Sequence, residues 1–223
     1  MQPRAVVLDV NETLSDLSPL GEAFERAGLP GTLAPTWFAS VLRDGFALAA
    51  VGESATFREV GAALLRGYLH DAGESGTVDE RVSGVLGAFT DLSLHPDVAG
   101  GLRRLADSGL RVVTLSNGAV EVADRLLTRG GVRDAVEQLL SVERAGVWKP
   151  AAAAYRYAAD ALGEPVDHLL MVAVHPWDLH GAARAGLRTA WVDRRGGSPY
   201  PGYVAAPDLV VRGFDELADR LTG

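Results

Sequence analysis

The chain has 223 residues, 48% of them hydrophobic and 22% charged, a globular composition in which nothing reads as disordered. A net charge of −8 offers no basic field for nucleic acid, and the absence of cysteine excludes disulfides, thiolate metal sites and cysteine nucleophiles. No apolar run reaches transmembrane length and Met1-Gln-Pro-Arg leads into a strand instead of a signal sequence, so a cytoplasmic protein without a membrane partner is expected.

The first predicted element is the apolar, β-branched run Val6-Val7-Leu8, which ends in Asp9 and passes at once into the polar turn Val10-Asn11-Glu12-Thr13-Leu14. This pattern fits a buried parallel strand, and ligands in open α/β sheets gather beyond the carboxyl ends of such strands. Asp9 is therefore a candidate nucleophile, although the same position also suits a turn former or a helix cap. From about Ser15 to Asp91 no convincing strand is found. Pro35 opens a long helical segment through Ala50, and Thr56-Phe-Arg-Glu59 reads as a capping box that starts another through His70. Gly73-Glu-Ser-Gly76 is the one flexible-looking stretch in this region. Residues 15–91 are expected to form a helical cap inserted after the first strand, with 1–14 and 92–223 as the core.

From about residue 92 the pattern alternates. Val98, Leu102 and Leu105 have helical spacing after His95-Pro96, followed by a strand at Leu110–Leu115, a helix at Ala119–Thr128 and a strand near Glu137–Val142. A helix at Ala151–Leu162, a strand at Leu169–Val174, a helix near Asp178–Ala185 and strands at Leu187–Val192 and Asp208–Val211 follow, before a last helix from Phe214. Such alternation predicts an α/β fold, a Rossmann-like parallel sheet covered on both faces.

Three later segments repeat the strand-end theme. Leu110-Arg-Val-Val-Thr-Leu-Ser116-Asn117-Gly118 ends in small hydrogen-bonding residues, Trp148-Lys149-Pro150 puts a cation just before a helix, and the strand ending at Val174 runs into His175-Pro-Trp177-Asp178. Asp, Ser/Asn, Lys and Asp in that order resemble the four motifs of the haloacid dehalogenase superfamily. The 2-haloacid dehalogenase branch is the more similar, through Asp9 with Thr13, Leu115-Ser116-Asn117-Gly118, Leu140-Ser-Val with Lys149-Pro150 and Tyr155, and Trp177-Asp178 with Gly181-Ala182. The likeness spans nearly the whole chain.

The resemblance implies that Asp9 forms an ester with the substrate, which water then cleaves, two steps each easier than direct hydrolysis. Lys149 would hold Asp9 ionised, Ser116 and Asn117 would donate hydrogen bonds to a substrate anion, and Asp178 would orient Lys149 or a water. Each has a plainer reading: a solvated lysine, helix caps at Ser116 and Asn117, a cap at Asp178. Asn11, Thr13, Phe38, Phe57, Tyr155 and Trp177 fall at positions that contact substrate or line its pocket in the family, though aromatic residues at such spacing also build cores.

Departures from the family pattern narrow the chemistry. The second acid that phosphatases of the superfamily carry two residues after the nucleophile is Asn11 here, and the last motif has one carboxylate, Asp178. No cofactor is favoured; magnesium, were it used, would have only Asp9, Asn11 and Asp178 to hold it. The arginine with which family members hold halide or carboxylate aligns with Phe38. Arg43 is five residues further, roughly 140° around a helix, and reads as a solvated side chain. The family's Tyr-Gly after the nucleophile is replaced by Asn11-Glu12, and its Ser and Asn in the last motif by Ala173 and His175. A histidine titrates near neutrality, so His175 is expected either to activate the water that cleaves the ester or to serve as a hydrogen-bonded strand end. His70, His95, His168 and His180 show no metal-ligand spacing and are expected at the surface or as caps. The expected function is hydrolysis of a small 2-substituted carboxylic acid, haloacid-like; a magnesium-dependent phosphatase and a catalytically silent binding protein are the alternatives. The partner is thus a small acid, and a homodimer is compatible with the sequence.

Overall fold

The computed structural model describes residues 2–73 and 77–223. Strand β1 (Ala5–Leu8) is followed by β2 (Ser15–Asp16) and then by helices α1 (Leu20–Arg26), α2 (Leu33–Ala50), α3 (Phe57–Asp71) and α4 (Val78–Thr90). After β3 (Ser93–Leu94) come α5 (Val98–Asp107), β4 (Arg111–Ser116), α6 (Val120–Arg129), β5 (Gln138–Ser141), the short α7 (Val142–Ala145) and α8 (Ala152–Leu162). The chain closes with β6 (Leu169–Ala173), α9 (Pro176–Ala185), β7 (Arg188–Val192), β8 (Leu209–Val211) and α10 (Phe214–Thr222).

Six strands form one parallel sheet in the order β5-β4-β1-β6-β7-β8. Both faces of β1 are covered, and the period of two divides its side chains between two cores. Val6 and Leu8 pack with Leu102, Leu105, Leu127, Phe214 and Leu217 on one face, while Ala5 and Val7 pack with Tyr155, Ala158, Leu162 and Leu179 on the other. This is why the strand reads as an unbroken apolar run.

Helices α1–α4 have their own apolar cluster, centred on Trp37. Phe24, Phe57 and Phe89 meet the Trp37 indole edge-on, with centroids 5.8, 6.0 and 5.8 Å away, and its Nε1 donates to the Gly61 carbonyl at 3.0 Å. The Thr56–Glu59 capping box is formed at the start of α3. One expectation is corrected: the stretch after Asp9 does contain a strand. β2 pairs antiparallel with β3, Ser15 opposite Leu94 and Asp16 opposite Ser93, so a two-stranded ribbon leads into and out of the helices. Two residues per strand are too few for a period of two to show in the sequence. Of the stretch Gly73–Gly76, only Gly73 lies within the described residues, where it makes a left-handed turn after α3.

Core and helices are clasped by Trp148. Its buried indole donates from Nε1 to the Ala55 carbonyl at 2.8 Å, stacks on Phe57 at 6.2 Å and rests against Gly45 of α2, where any side chain would collide with it. Among the described residues, no helix is long and apolar enough to cross a membrane.

Candidate active site

The ends of β4, β1 and β6 lie side by side, so Ser116, Asp9 and the segment Val174–Asp178 converge. Asp9 extends the ladder by one residue, its N–H donating to Val172 O at 3.0 Å, and the chain then folds back so that Leu14 and Ser15 both donate to Val10 O. Inside that tight turn Glu12 has a φ of +62°, a left-handed conformation that costs a residue with a Cβ on the order of 1–2 kcal/mol. Thr13, deep in the turn, donates from Oγ1 to Asp9 Oδ2 at 2.6 Å and accepts from Val174 N at 3.1 Å, which ties the nucleophile's loop to the end of β6.

Lys149 is fully buried and bridges two carboxylates: Nζ donates to Asp9 Oδ1 at 2.9 Å and to Asp178 Oδ2 at 2.6 Å. Burial pulls the ammonium down, but Asp178 and Asp9 outweigh it and hold Lys149 above the ordinary lysine value. Burial likewise pushes Asp9 up, yet Lys149, His175 and Thr13 together bring its carboxyl well below the usual carboxylate range. Asp178 moves the other way, raised by burial and by the charge on Asp9 more than Lys149 lowers it. The solvated-lysine reading is excluded, as is the cap reading of Asp178. Helix α9 starts two residues earlier than expected, with His175 at its N-cap and Pro176 in its first turn, so Asp178 sits inside the helix and faces Lys149.

Two further residues hold this arrangement from behind. Tyr155, expected to line the pocket, is fully buried; its hydroxyl lies 2.6 Å from Asp178 Oδ1 and 2.9 Å from Asp178 O. Gly181 leaves room for that hydroxyl, since a Cβ there would stand 2.6 Å from it. Asn117 was expected to reach substrate, but it grips the Lys149 backbone from both sides, accepting from Lys149 N at 3.0 Å and donating to Lys149 O at 3.3 Å. Ser116 Oγ accepts from Gly118 N at 2.9 Å, which leaves its own proton free to donate. Neither residue caps α6, whose N-cap is Ala119. Asn11 is buried beside Gly118.

His175 differs most from expectation. Its Nδ1 lies 3.2 Å from Asp9 Oδ2 and its Nε2 lies 2.7 Å from Glu12 Oε2. Burial disfavours the charged ring, but the two carboxylates prevail and raise its pKa to about 9. At neutral pH it is an imidazolium, not the neutral base that a free histidine would supply. Phe38 lies ring to ring with it, 6.3 Å between centroids at 29°, and Trp177 covers it at 5.2 Å while also packing on Phe46. Phe57 stays within the aromatic cluster, 6.0 Å from Phe38. Arg43 is turned to solvent beside Asp44, so it does not replace the guanidinium missing at position 38.

In the sequence Glu12 stands out only as a departure from the family pattern. It belongs to the site, and the signal for it was present: an acid three residues after the nucleophile together with a histidine in the last motif. It stands at the wall shared by two cavities. One, of about 470 Å³, is lined by Glu12, His95, His175, Trp191 and Arg194; the other, of about 740 Å³, by Glu12, Leu20, Glu25, Pro35 and Phe38. His95 is a brace, donating from Nε2 to Glu12 O at 3.2 Å, and His180 Nδ1 accepts from Ala205 N at 3.0 Å. His70 is exposed and His168 sits 3.6 Å from Glu164.

The residues present do not suit magnesium. The Lys149 ammonium bridges Asp9 and Asp178, and the His175 ring, instead of a further carboxylate, faces Asp9. Among the described residues no group of three or more His, Cys, Asp or Glu is arranged to hold a metal ion.

With this geometry in view, the comparisons with known proteins are consistent with one another. Residues 3–186 match the family model of haloacid dehalogenase-like hydrolases. The (S)-2-haloacid dehalogenase H-109 of Pseudomonas putida is 31% identical over 225 residues, covering 99% of both chains. The structure of L-2-haloacid dehalogenase from Xanthobacter autotrophicus superposes with a TM-score of 0.89 at 26% identity, covering 99% of both chains. The same enzyme with chloropropionic acid covalently bound gives 0.88 at 26%, again over 99% of both chains. Matched by the family model over most of its length and by a curated relative from end to end, this chain belongs to the haloacid dehalogenase-like hydrolases.

Proposed function

We propose that the protein hydrolyses a short 2-substituted carboxylic acid through a covalent ester on Asp9. A carboxylate oxygen of Asp9 attacks C2 of the acid, and the bond from C2 to the leaving group breaks with its electron pair departing as halide. Water then adds to Asp9 Cγ, the ester bond breaks, and a 2-hydroxy acid leaves. The observation that carries this reading is the chain Tyr155–Asp178–Lys149–Asp9, in which a buried ammonium on one oxygen keeps the nucleophile ionised while Thr13 and His175 orient the other. The (S)-2-haloacid dehalogenases among its relatives, and the covalently bound chloropropionic acid in one of them, support a halide on a short acid as the leaving group.

Helices α1–α4 would serve as a cap, bringing Phe38 over the site and excluding water from the first step. Ser116 Oγ is the donor left free for a substrate anion. The lack of cysteine suits a reducing cytoplasm. The test is a screen for halide release and for phosphate release, each with magnesium and with chelator. Halide release that survives chelation is expected, and Asp9→Asn should lower it by at least roughly a thousandfold with folding intact. Release of phosphate that chelator abolishes and magnesium restores would overturn the proposal in favour of a phosphatase.

A further inference from the structure

Three departures from the family pattern touch one another here. Phe38 stands at the arginine position, His175 at the asparagine position and Glu12 at the glycine position. Phe38 stacks on His175, and His175 bonds to Glu12. Glu12 keeps a left-handed backbone that glycine would adopt without strain. Its backbone carbonyl is pinned by His95, while its side chain reaches 2.7 Å to His175 Nε2. A strained residue retained where its carboxylate meets the ring that faces the nucleophile points to a task for that carboxylate.

We propose that Glu12 is a positioning residue for ester hydrolysis, holding His175 by Nε2 so that Nδ1 faces Asp9 and, once Asp9 is esterified, the water that attacks it. The proposal rests on Asp9 being the nucleophile. In the resting protein, Asp9 and Glu12 each face one ring nitrogen, and the doubly protonated ring satisfies both. Esterification removes the negative charge opposite Nδ1. Its proton then leaves to solvent by way of the cavity of about 470 Å³ that both His175 and Glu12 line. The other titratable and charged groups near the ring are Lys149 behind Asp9, and Asp16, His95, Asp193, Arg194 and Arg195 on the cavity wall; Phe38 and Trp177 cover its faces.

With Nδ1 unprotonated, the attacking water gives it a proton as the water oxygen bonds to Asp9 Cγ. When the bond from Cγ to the substrate oxygen breaks, that proton passes to the departing oxygen, which becomes the hydroxyl of the product. Asp9 is left as a carboxylic acid and passes its remaining proton to Nδ1, which restores the doubly protonated ring, so the one proton released is that lost to solvent earlier. Ester and water thus become hydroxy acid, carboxylate and one proton. Glu12 touches no reacting atom in either step.

The test uses Glu12→Gly, which relieves the backbone strain and so protects folding, and Glu12→Gln, which keeps the shape and removes the charge. Each variant and the unmodified protein is mixed with 2-bromopropionate; halide release is followed from the first turnover, and the intact protein is weighed. Both variants should release a first equivalent of bromide as fast as the unmodified protein. Steady turnover should then slow by about ten- to a hundredfold, with the ester adduct accumulating as a mass increase. Variants that turn over at the unmodified rate with no adduct would overturn the proposal, as would variants that lose the first equivalent together with turnover. If the unmodified protein forms neither hydroxy acid nor adduct, the nucleophilic reading of Asp9 fails first and this inference falls with it. Turnover by the unmodified protein beside unimpaired variants would sink the inference alone.

Discussion

Phe38 presents an aromatic face to an imidazolium where the family pattern calls for a guanidinium fork, so the pocket gains apolar surface and loses a directed charge-assisted donor. Removing such a donor from a dry site costs on the order of 2–4 kcal/mol, or a factor of about 30 to 1,000 in rate. Chloroacetate should therefore be a poor substrate, a longer and less polar 2-halo acid a better one, and Phe38→Arg should raise kcat/KM for chloroacetate. Rapid turnover of chloroacetate by the unmodified protein would refute this. His175 allows a second prediction. Its pKa rises from 6.5 to about 9 on folding, so its charge stabilises the native state fully below about pH 6.5. That contribution, on the order of 3 kcal/mol, is lost as pH climbs through about 9. Between those limits the unmodified protein should lose roughly 6–12 °C more in Tm than His175→Asn, and equal losses would show that the ring is not held charged. At this scale the order of four motifs made the meeting of Asp9, Lys149 and Asp178 legible, and Lys149 does lie within hydrogen-bond distance of both carboxylates. Glu12 was signalled by its type and spacing alone, and its contact with His175 could not be read, because where its side chain goes depends on a left-handed φ that no pattern of side chains displays. Nor could the turning of Asn117 onto the Lys149 backbone, because both partners lie in loops.

Among the elements, those with three or more turns of periodic burial could be read directly, α2, α3 and α8 to within two residues. The capping box at Thr56 is the clearest case, since two hydrogen bonds follow from two residues three apart. The ribbon of β2 and β3 is too short to show a period, and α9 starts at Pro176, two residues before Asp178, with the proline in its first turn. The joint between α2 and the core gives the prediction at this scale. Gly45→Ala puts a methyl into the Trp148 indole and should cost about 1–3 kcal/mol, since overpacking forces α2 or the indole to move. Tm should fall by roughly 2–12 °C. A variant with unchanged Tm would mean that Trp148 is loosely seated, contrary to its full burial and its bond to Ala55.

For the molecule as a whole, alternation of strand and helix predicts a parallel sheet, but the order β5-β4-β1-β6-β7-β8 arises from crossovers that sequence periodicity does not encode. That order sets β1 between β4 and β6 and so brings four distant motifs to one place. The net charge of −8 opposes the approach of an anionic substrate. Raising ionic strength from about 10 to 150 mM shrinks the screening length from about 30 to 8 Å, so kcat/KM for a haloacid should rise with salt. A fall would show that the cations at the site govern its approach instead. Trp148 and Lys149 are neighbours in the chain, yet one is lodged in the helical insert and the other between the two buried carboxylates. The peptide joining them works as a lever with its ends in different parts of the protein. Lifting the helices would pull on the tryptophan, and one residue away that pull reaches the ammonium that keeps the nucleophile charged. In the proposed mechanism, admission of a substrate and readiness to attack it would thereby be joined through a single covalent step of the backbone.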